Sequence, residues 1–274
     1  MTVDVEDYYQ VHAFSGQVAR ADWDRFASRV ERNTDAVLEI FGAAGIHATF
    51  FTLGWVAERH PTLMRRIASA GHEIASHGYA HVRADEQDRS AFREDVRRTK
   101  GILEAVSGQP VSGYRAASFS IGARNFWAFD VLAEEGYRYS SSIYPVVHDH
   151  YGMPEAPRFA FRPIERSPFV EAPMTTNAMF GWNFPCSGGG YFRMLPYGVS
   201  TWQLRRVNRR DRQPCIFYFH PWEIDPEQPR LGGVSLKARF RHYLNLGAMR
   251  GRLERLSRDF AWNRMDRVIG LAAN

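Results

Sequence analysis

Apolar positions along the chain follow two alternating periods. Phe26, Val30, Val37, Ile40 and Phe41 recur at helical spacing, and Gly42 and Gly45 close the segment. The stretch His47-Ala-Thr-Phe-Phe-Thr-Leu53 follows as a near-continuous apolar run, the pattern of a strand covered on both faces. A helix over 56–70 then leads through Gly71 into a strand over 72–76. Phe92, Val96, Leu103 and Val106 mark a further helix ending at Gly108, followed by a strand over 111–116, a helix over 125–135 and a strand over 137–143. Strand and helix alternating through short, glycine-punctuated joins is the signature of parallel βα units.

The rhythm breaks between Tyr144 and Pro196, where prolines, aromatics and the run Gly188-Gly189-Gly190 replace helical spacing. A stretch of that length inside a compact unit is read as an insertion over the barrel mouth. The alternation resumes with a helix over 197–208 and the apolar strand Cys215-Ile-Phe-Tyr-Phe219. A terminal helix is spaced by Met249, Leu253, Leu256 and Phe260. The expectation is an α/β barrel forming one domain over residues 1–274, with 144–196 inserted.

Composition adds limits. Hydrophobic residues make up 45% and charged residues 24% of the 274 positions, enough for a large core and inconsistent with disorder. Cys186 and Cys215 lie in unlike contexts without a CxxC, which argues against a thiolate metal site or a disulfide framework. The net charge is +5, with a local cluster at Arg205, Arg206, Arg209, Arg210 and Arg212. No nucleic-acid motif accompanies it, so nucleic acid is not an expected partner. No apolar stretch is long enough for a transmembrane helix, and the acidic opening lacks the pattern of a signal peptide. The expected location is therefore cytoplasmic, unless residues precede Met1.

The chemistry gathers at strand ends. In Thr2 to Asp7, Asp4 and Glu6 share one face of a strand and Asp7 falls at its exit. Carboxylates buried together need a cation or an arginine. His77 and His81 stand four positions apart and can chelate if the chain turns helically after the strand. Neutral imidazole is the commonest protein ligand for zinc. Arg115 sits on the next strand and His220 after the last. In a βα barrel, all C-terminal strand ends converge on one face, so these scattered residues are expected to meet.

In their order, these residues resemble the NodB-homology polysaccharide deacetylases, carbohydrate esterase family 4. Thr2-Val-Asp-Val-Glu-Asp-Tyr8, Gly113-Tyr-Arg-Ala-Ala-Ser-Phe-Ser-Ile121, Ser187-Gly-Gly-Gly-Tyr-Phe-Arg193 and His220-Pro-Trp-Glu223 resemble the branch associated with exopolysaccharide and exosortase clusters. The resemblance implies a distorted (β/α)7 barrel and metal-dependent removal of acetyl groups from an N-acetylated polysaccharide. It implies Asp4 as the base, Arg115 as its partner, the Ser118 backbone N–H as oxyanion donor and His220 as the general acid. His77, His81 and Glu6 become metal ligands, with Asp7 the second choice for the carboxylate. Zinc is the first expectation for the cation, with cobalt, nickel and iron compatible. Relatives often carry an aspartate that hydrogen-bonds the acid histidine where this chain has Ser140, so Ser140 would take that place without its charge. Tyr191, Trp222 and the glycine run suit a sugar-binding groove. Two other readings stand beside this one: a hydrolase of small cyclic amides or ureides, and a degenerate barrel that binds glycan without turnover.

Overall fold

The computed structural model describes residues 1–149 and 151–271. The chain runs β1 (Thr2–Val5), α1 (Val30–Ala44), β2 (Thr49–Thr52), α2 (Gly54–Arg59), α3 (Pro61–Ser69), β3 (Glu73–Ser76), α4 (Arg89–Ser107), β4 (Gly113–Tyr114), α5 (Ala128–Glu134) and β5 (Tyr139–Ser140). It continues with β6 (Val170–Glu171), β7 (Thr176–Met179), β8 (Trp182–Pro185), α6 (Gly189–Met194), α7 (Tyr197–Arg206), β9 (Tyr218–Phe219), α8 (Leu236–Tyr243), α9 (Leu246–Asp259) and α10 (Met265–Val268).

Seven strands form one sheet in the order β6-β5-β4-β3-β2-β1-β9, every pair parallel. The sheet curls into the expected distorted (β/α)7 barrel. Between its edge strands runs the segment before α6: Tyr218 N donates to Ser187 O, and Ser187 Oγ donates to Thr175 O. The closure on that side therefore relies partly on side chains rather than a continuous ladder.

Local chemistry explains the element boundaries. The helix expected over 56–70 is two helices, because Pro61 cannot continue α2 and instead opens α3 at its first turn. Asp88 caps α4 by accepting from Ala91 N, and Gly108 ends it in the left-handed region. The expected insertion is partly integral to the barrel. Val170–Glu171 pairs with Tyr139–Ser140 as the sixth strand, and β7 and β8 form a separate antiparallel hairpin. Short strands such as β6 carry too few residues for a period to show in sequence.

Alternation along the strands sorts side chains into two compartments. Val3, Val5 and Phe50 face outward into the core under the helices, with Phe41, Met249, Leu253 and Leu256. Phe51, Ala75 and Tyr139 fill the barrel interior and pack with Met265 of α10. Above this plug lies Arg115, its guanidinium carbon 4.0 Å from the Phe51 ring centroid. The polar layer around Arg115 opens at the C-terminal strand ends, while at the other end of the interior the buried Glu73 accepts from Thr49 Oγ1 and the Tyr139 hydroxyl.

Candidate active site

Arg115 is fully buried and its hydrogen bonds are spent on positioning. Its Nη1 donates to Asp4 Oδ1 at 2.6 Å and to Thr2 Oγ1 at 2.9 Å, and its Nη2 donates to Ser141 Oγ at 3.0 Å. Asp4 and Thr2, two residues apart on one strand, therefore grip the same guanidinium. Asp4 lines a cavity of about 410 Å³ together with Glu6, His77, His81, Ser118 and His220.

The loop after β3 brings the two histidines together, though not by the helical turn expected from the spacing. Gly78 and His81 both take left-handed backbone conformations, at φ 74° and 51°. The loop is pinned by Gly54 N donating to Gly78 O, Trp55 N to Tyr79 O, and Arg20 to the carbonyls of Ala80 and His81. The imidazole centroids end 5.4 Å apart. A left-handed non-glycine residue costs free energy, on the order of 1–3 kcal/mol, and such strain concentrates at functional sites.

Glu6, His77 and His81 each present a ligand atom within 4.8 Å of the others, and all three are buried. His77 Nδ1 lies 2.8 Å from the Arg115 carbonyl, which can only accept, so the proton sits on Nδ1 and Nε2 is left with its lone pair. Burial lowers the pKa of both imidazoles and keeps them neutral. Burial also raises Glu6 to about 7, against the opposing pull of His220. Glu6 Oε2 is a buried oxygen without a hydrogen-bond donor, although His81 Nε2 lies 3.1 Å away. Glu6 Oε2 and His81 Nε2 therefore stand at a spacing that two ligands of one cation can share. Asp4, Glu6 and Glu223 are faced by the guanidinium groups of Arg115 and Arg193 and by the imidazole of His220. The residues present therefore fit a divalent cation.

Asp7 is excluded from this group. Its Oδ2 accepts from Ser28 Oγ and from the backbone N–H groups of Arg29 and Val30, and its Oδ1 accepts from Tyr8 N. The carboxylate is consumed at the start of α1, which is a helix-capping role, and its place as second-choice ligand is corrected accordingly.

His220 points into the cavity from the end of β9, with Nε2 3.4 Å from Glu6 Oε1. Its Nδ1 lies 2.9 Å from Glu223 Oε1, which also accepts from the backbone N of His220. The other oxygen of Glu223 receives Arg193 Nε at 2.7 Å, and Arg193 is itself held by the carbonyls of Arg241, His242 and Leu244. Burial alone would raise Glu223, but Arg193 and His220 outweigh it and hold the carboxyl at about 2. Burial would likewise lower His220, yet Glu6 and Glu223 together raise it to about 9.

The histidine's carboxylate partner is thus Glu223, not a residue of β5. Ser140 does not take that place: its Oγ hydrogen-bonds Ser142 Oγ. The sequence signal for Glu223 was its position three residues after His220, on a single turn of 3-10 helix.

Two further expectations gain detail. Trp222 is buried, stacks with His220 at 5.1 Å and with His242 at 4.0 Å, and lines the cavity together with both. The glycine run also serves internal packing. A Cβ on Gly189 would stand 2.3 Å from both carboxylate oxygens of Glu223, and one on Gly188 would stand 2.7 Å from the Tyr218 ring. Gly190 is the member that lines the cavity. Tyr191 is half-buried next to Tyr151, which does line it. Ser118 lines the cavity in a left-handed conformation, φ 53°, followed by Phe119 at φ 50°.

Residues 22–140, which carry His77, His81 and Arg115, match the family model for polysaccharide deacetylase. Residues 22–140 thus belong to the polysaccharide deacetylase family. Residues 141–270 match a second model, a domain of unknown function (DUF3473), and this part supplies Arg193, His220 and Glu223 to the site. The chain is 33% identical over 75 residues to peptidoglycan-N-acetylglucosamine deacetylase of Bacillus cereus, covering 27% of each. It is 36% identical over 101 residues to chitooligosaccharide deacetylase of Sinorhizobium fredii, covering 36% of this chain and 44% of the relative. The alignments thus span between about a quarter and under half of these curated relatives. A Mycobacterium smegmatis protein assigned to the polysaccharide deacetylases shares the fold, with TM-score 0.64 and 21% identity over 98% of this chain and 87% of that one. Puue allantoinase shares it at TM-score 0.57 and 19% identity, over 87% and 71%.

Proposed function

We propose that the chain is a metal-dependent hydrolase that removes N-acetyl groups from amino sugars of a polysaccharide. The observation that carries this reading is one cavity in which the Glu6, His77 and His81 cluster meets both the Asp4–Arg115 pair and His220. A divalent cation held by those three ligands, zinc being the simplest fit, would supply Lewis acidity toward a water and an amide carbonyl.

The remaining steps belong to the chain's own residues. Asp4, fixed by Arg115, takes the proton of the attacking water. The backbone N–H of Ser118 donates to the carbonyl oxygen as negative charge develops there, a contribution typically worth about 10²–10³ in rate. His220 delivers a proton from Nε2 to the departing nitrogen, since an amine anion cannot leave. Glu223 keeps Nδ1 protonated and the ring aimed. The products are acetate and a free amine on the glycan.

The finer reading of the substrate is an acetylated exopolysaccharide or its lipid-linked precursor. It is supported by the sequence motifs at 113–121, 187–193 and 220–223. The test is acetate release by zinc-reconstituted protein from chitooligosaccharides, peptidoglycan fragments and an N-acetylated exopolysaccharide, with allantoin as the ureide control. Release from a glycan that is lost in His77→Ala supports the proposal. A folded, zinc-loaded protein that releases acetate from none of them, or that turns over allantoin instead, refutes it.

A further inference from the structure

The β7–β8 hairpin and α7, whose residues are not among those lining the catalytic cavity, carry a feature the reaction does not use. Helix α7 buries Leu204 together with Ser200, Thr201 and Gln203 but leaves Val199 and Trp202 exposed, so part of its apolar surface faces solvent. The stripe 199, 202, 206, 210 continues through Arg206 and Arg210, which border one groove with the tip of the β7–β8 hairpin. That tip is the two-residue turn Phe180-Gly181, both left-handed. It holds Phe180 out to solvent at 91% exposure beside Trp182 at 66%. Arg206 is half-buried, with its Nε shielded from solvent, and Arg210 is exposed.

Exposed apolar surface of this extent marks an interaction site. The shape and chemistry select among partners. A neutral glycan requires donors and acceptors matched to hydroxyls in a concave groove. Here the rings of Phe180 and Trp182 stand out in solvent and guanidinium groups lie beside Phe180, the arrangement of a peripheral protein that inserts rings below anionic headgroups. We propose that the hairpin tip and the outer stripe of α7 dock on an anionic phospholipid bilayer, with Phe180 and Trp182 entering the interface and Arg206 and Arg210 contacting phosphate. This goes beyond the deacetylase reading and does not depend on it.

The test is co-sedimentation of the full chain with vesicles of phosphatidylcholine alone and of phosphatidylcholine mixed with phosphatidylglycerol, at low ionic strength. Binding to the mixed vesicles is expected, with a blue shift of tryptophan fluorescence. The Phe180→Ser, Trp182→Ser double variant should bind at least about tenfold more weakly, since two buried rings carry the apolar part of the affinity. The Arg206→Gln, Arg210→Gln variant should lose the preference for the anionic vesicles. Circular dichroism and melting temperature confirm that each variant is folded, and Trp202→Ser replaces the double variant if that one is not. No binding to mixed vesicles, equal binding by folded hairpin variants, or capture of a soluble acidic polysaccharide without vesicle binding would each overturn the proposal.

Discussion

At the scale of single residues, the site divides into groups that touch the reaction and groups that aim them. Glu223 is of the second kind, and its effect should depend on the leaving group. Glu223→Gln is expected to lower kcat on an N-acetyl glycan by about 10²-fold with KM little changed, because proton delivery to nitrogen is a step worth about 10²–10⁴. Turnover of 4-nitrophenyl acetate, whose phenolate leaves unaided, should survive. Equal losses on both substrates would make Glu223 a structural residue only. Glu6 gives a pH prediction. Its carboxyl titrates near 7 and must lose its proton to bind a cation, whereas the lowered imidazoles are already neutral there. Affinity for zinc should therefore fall by about tenfold per pH unit below 7, and a plateau extending down to pH 5 would show an ordinary carboxylate. Asp4, His77, His81, Arg115 and His220 were legible in the sequence because each stands on or shortly after a recognisable strand. Glu223 and Arg193 were not assigned, because they meet across 30 positions through a loop without periodicity.

At the scale of elements, the capping of α1 separates Asp7 from the ligands. Asp7→Ala leaves Ser28 Oγ and two helix N–H groups without their acceptor. It should cost about 1–3 kcal/mol of stability, read from denaturant unfolding, with zinc affinity unchanged. A loss of zinc affinity comparable to that of Glu6→Gln would return Asp7 to the metal site. The start of α6 makes a sharper demand. A methyl group on Gly189 meets both oxygens of Glu223, so Gly189→Ala should displace the carboxylate from His220 and reproduce the kinetic signature of Glu223→Gln. Wild-type kinetics in that variant would contradict the packing described. The long amphipathic helices and β2 were readable from their periods. The break at Pro61 and the two-residue β6 were not, since one is a local steric event and the other is shorter than any period.

At the scale of the whole molecule, the barrel is assembled across the boundary between the two family models. β2 to β5 come from residues 22–140, while β6 and β9 come from 141–270. The cation ligands and the acid histidine consequently reach one cavity from opposite parts of the chain, which is why no single stretch of sequence displayed the site. No helix among the described residues is long and apolar enough to cross a membrane, and the exposed hairpin and α7 stripe offer a peripheral route to one. The central claim is that Glu6, His77 and His81 hold the cation on which acetate release depends. Calorimetric titration of zinc into metal-free protein, with acetate release measured at each point, tests it most directly. The account predicts one equivalent bound, activity rising in proportion and saturating with it, and both absent in Glu6→Gln. Full acetate release from protein that binds no cation, or unchanged zinc binding in Glu6→Gln, would contradict it.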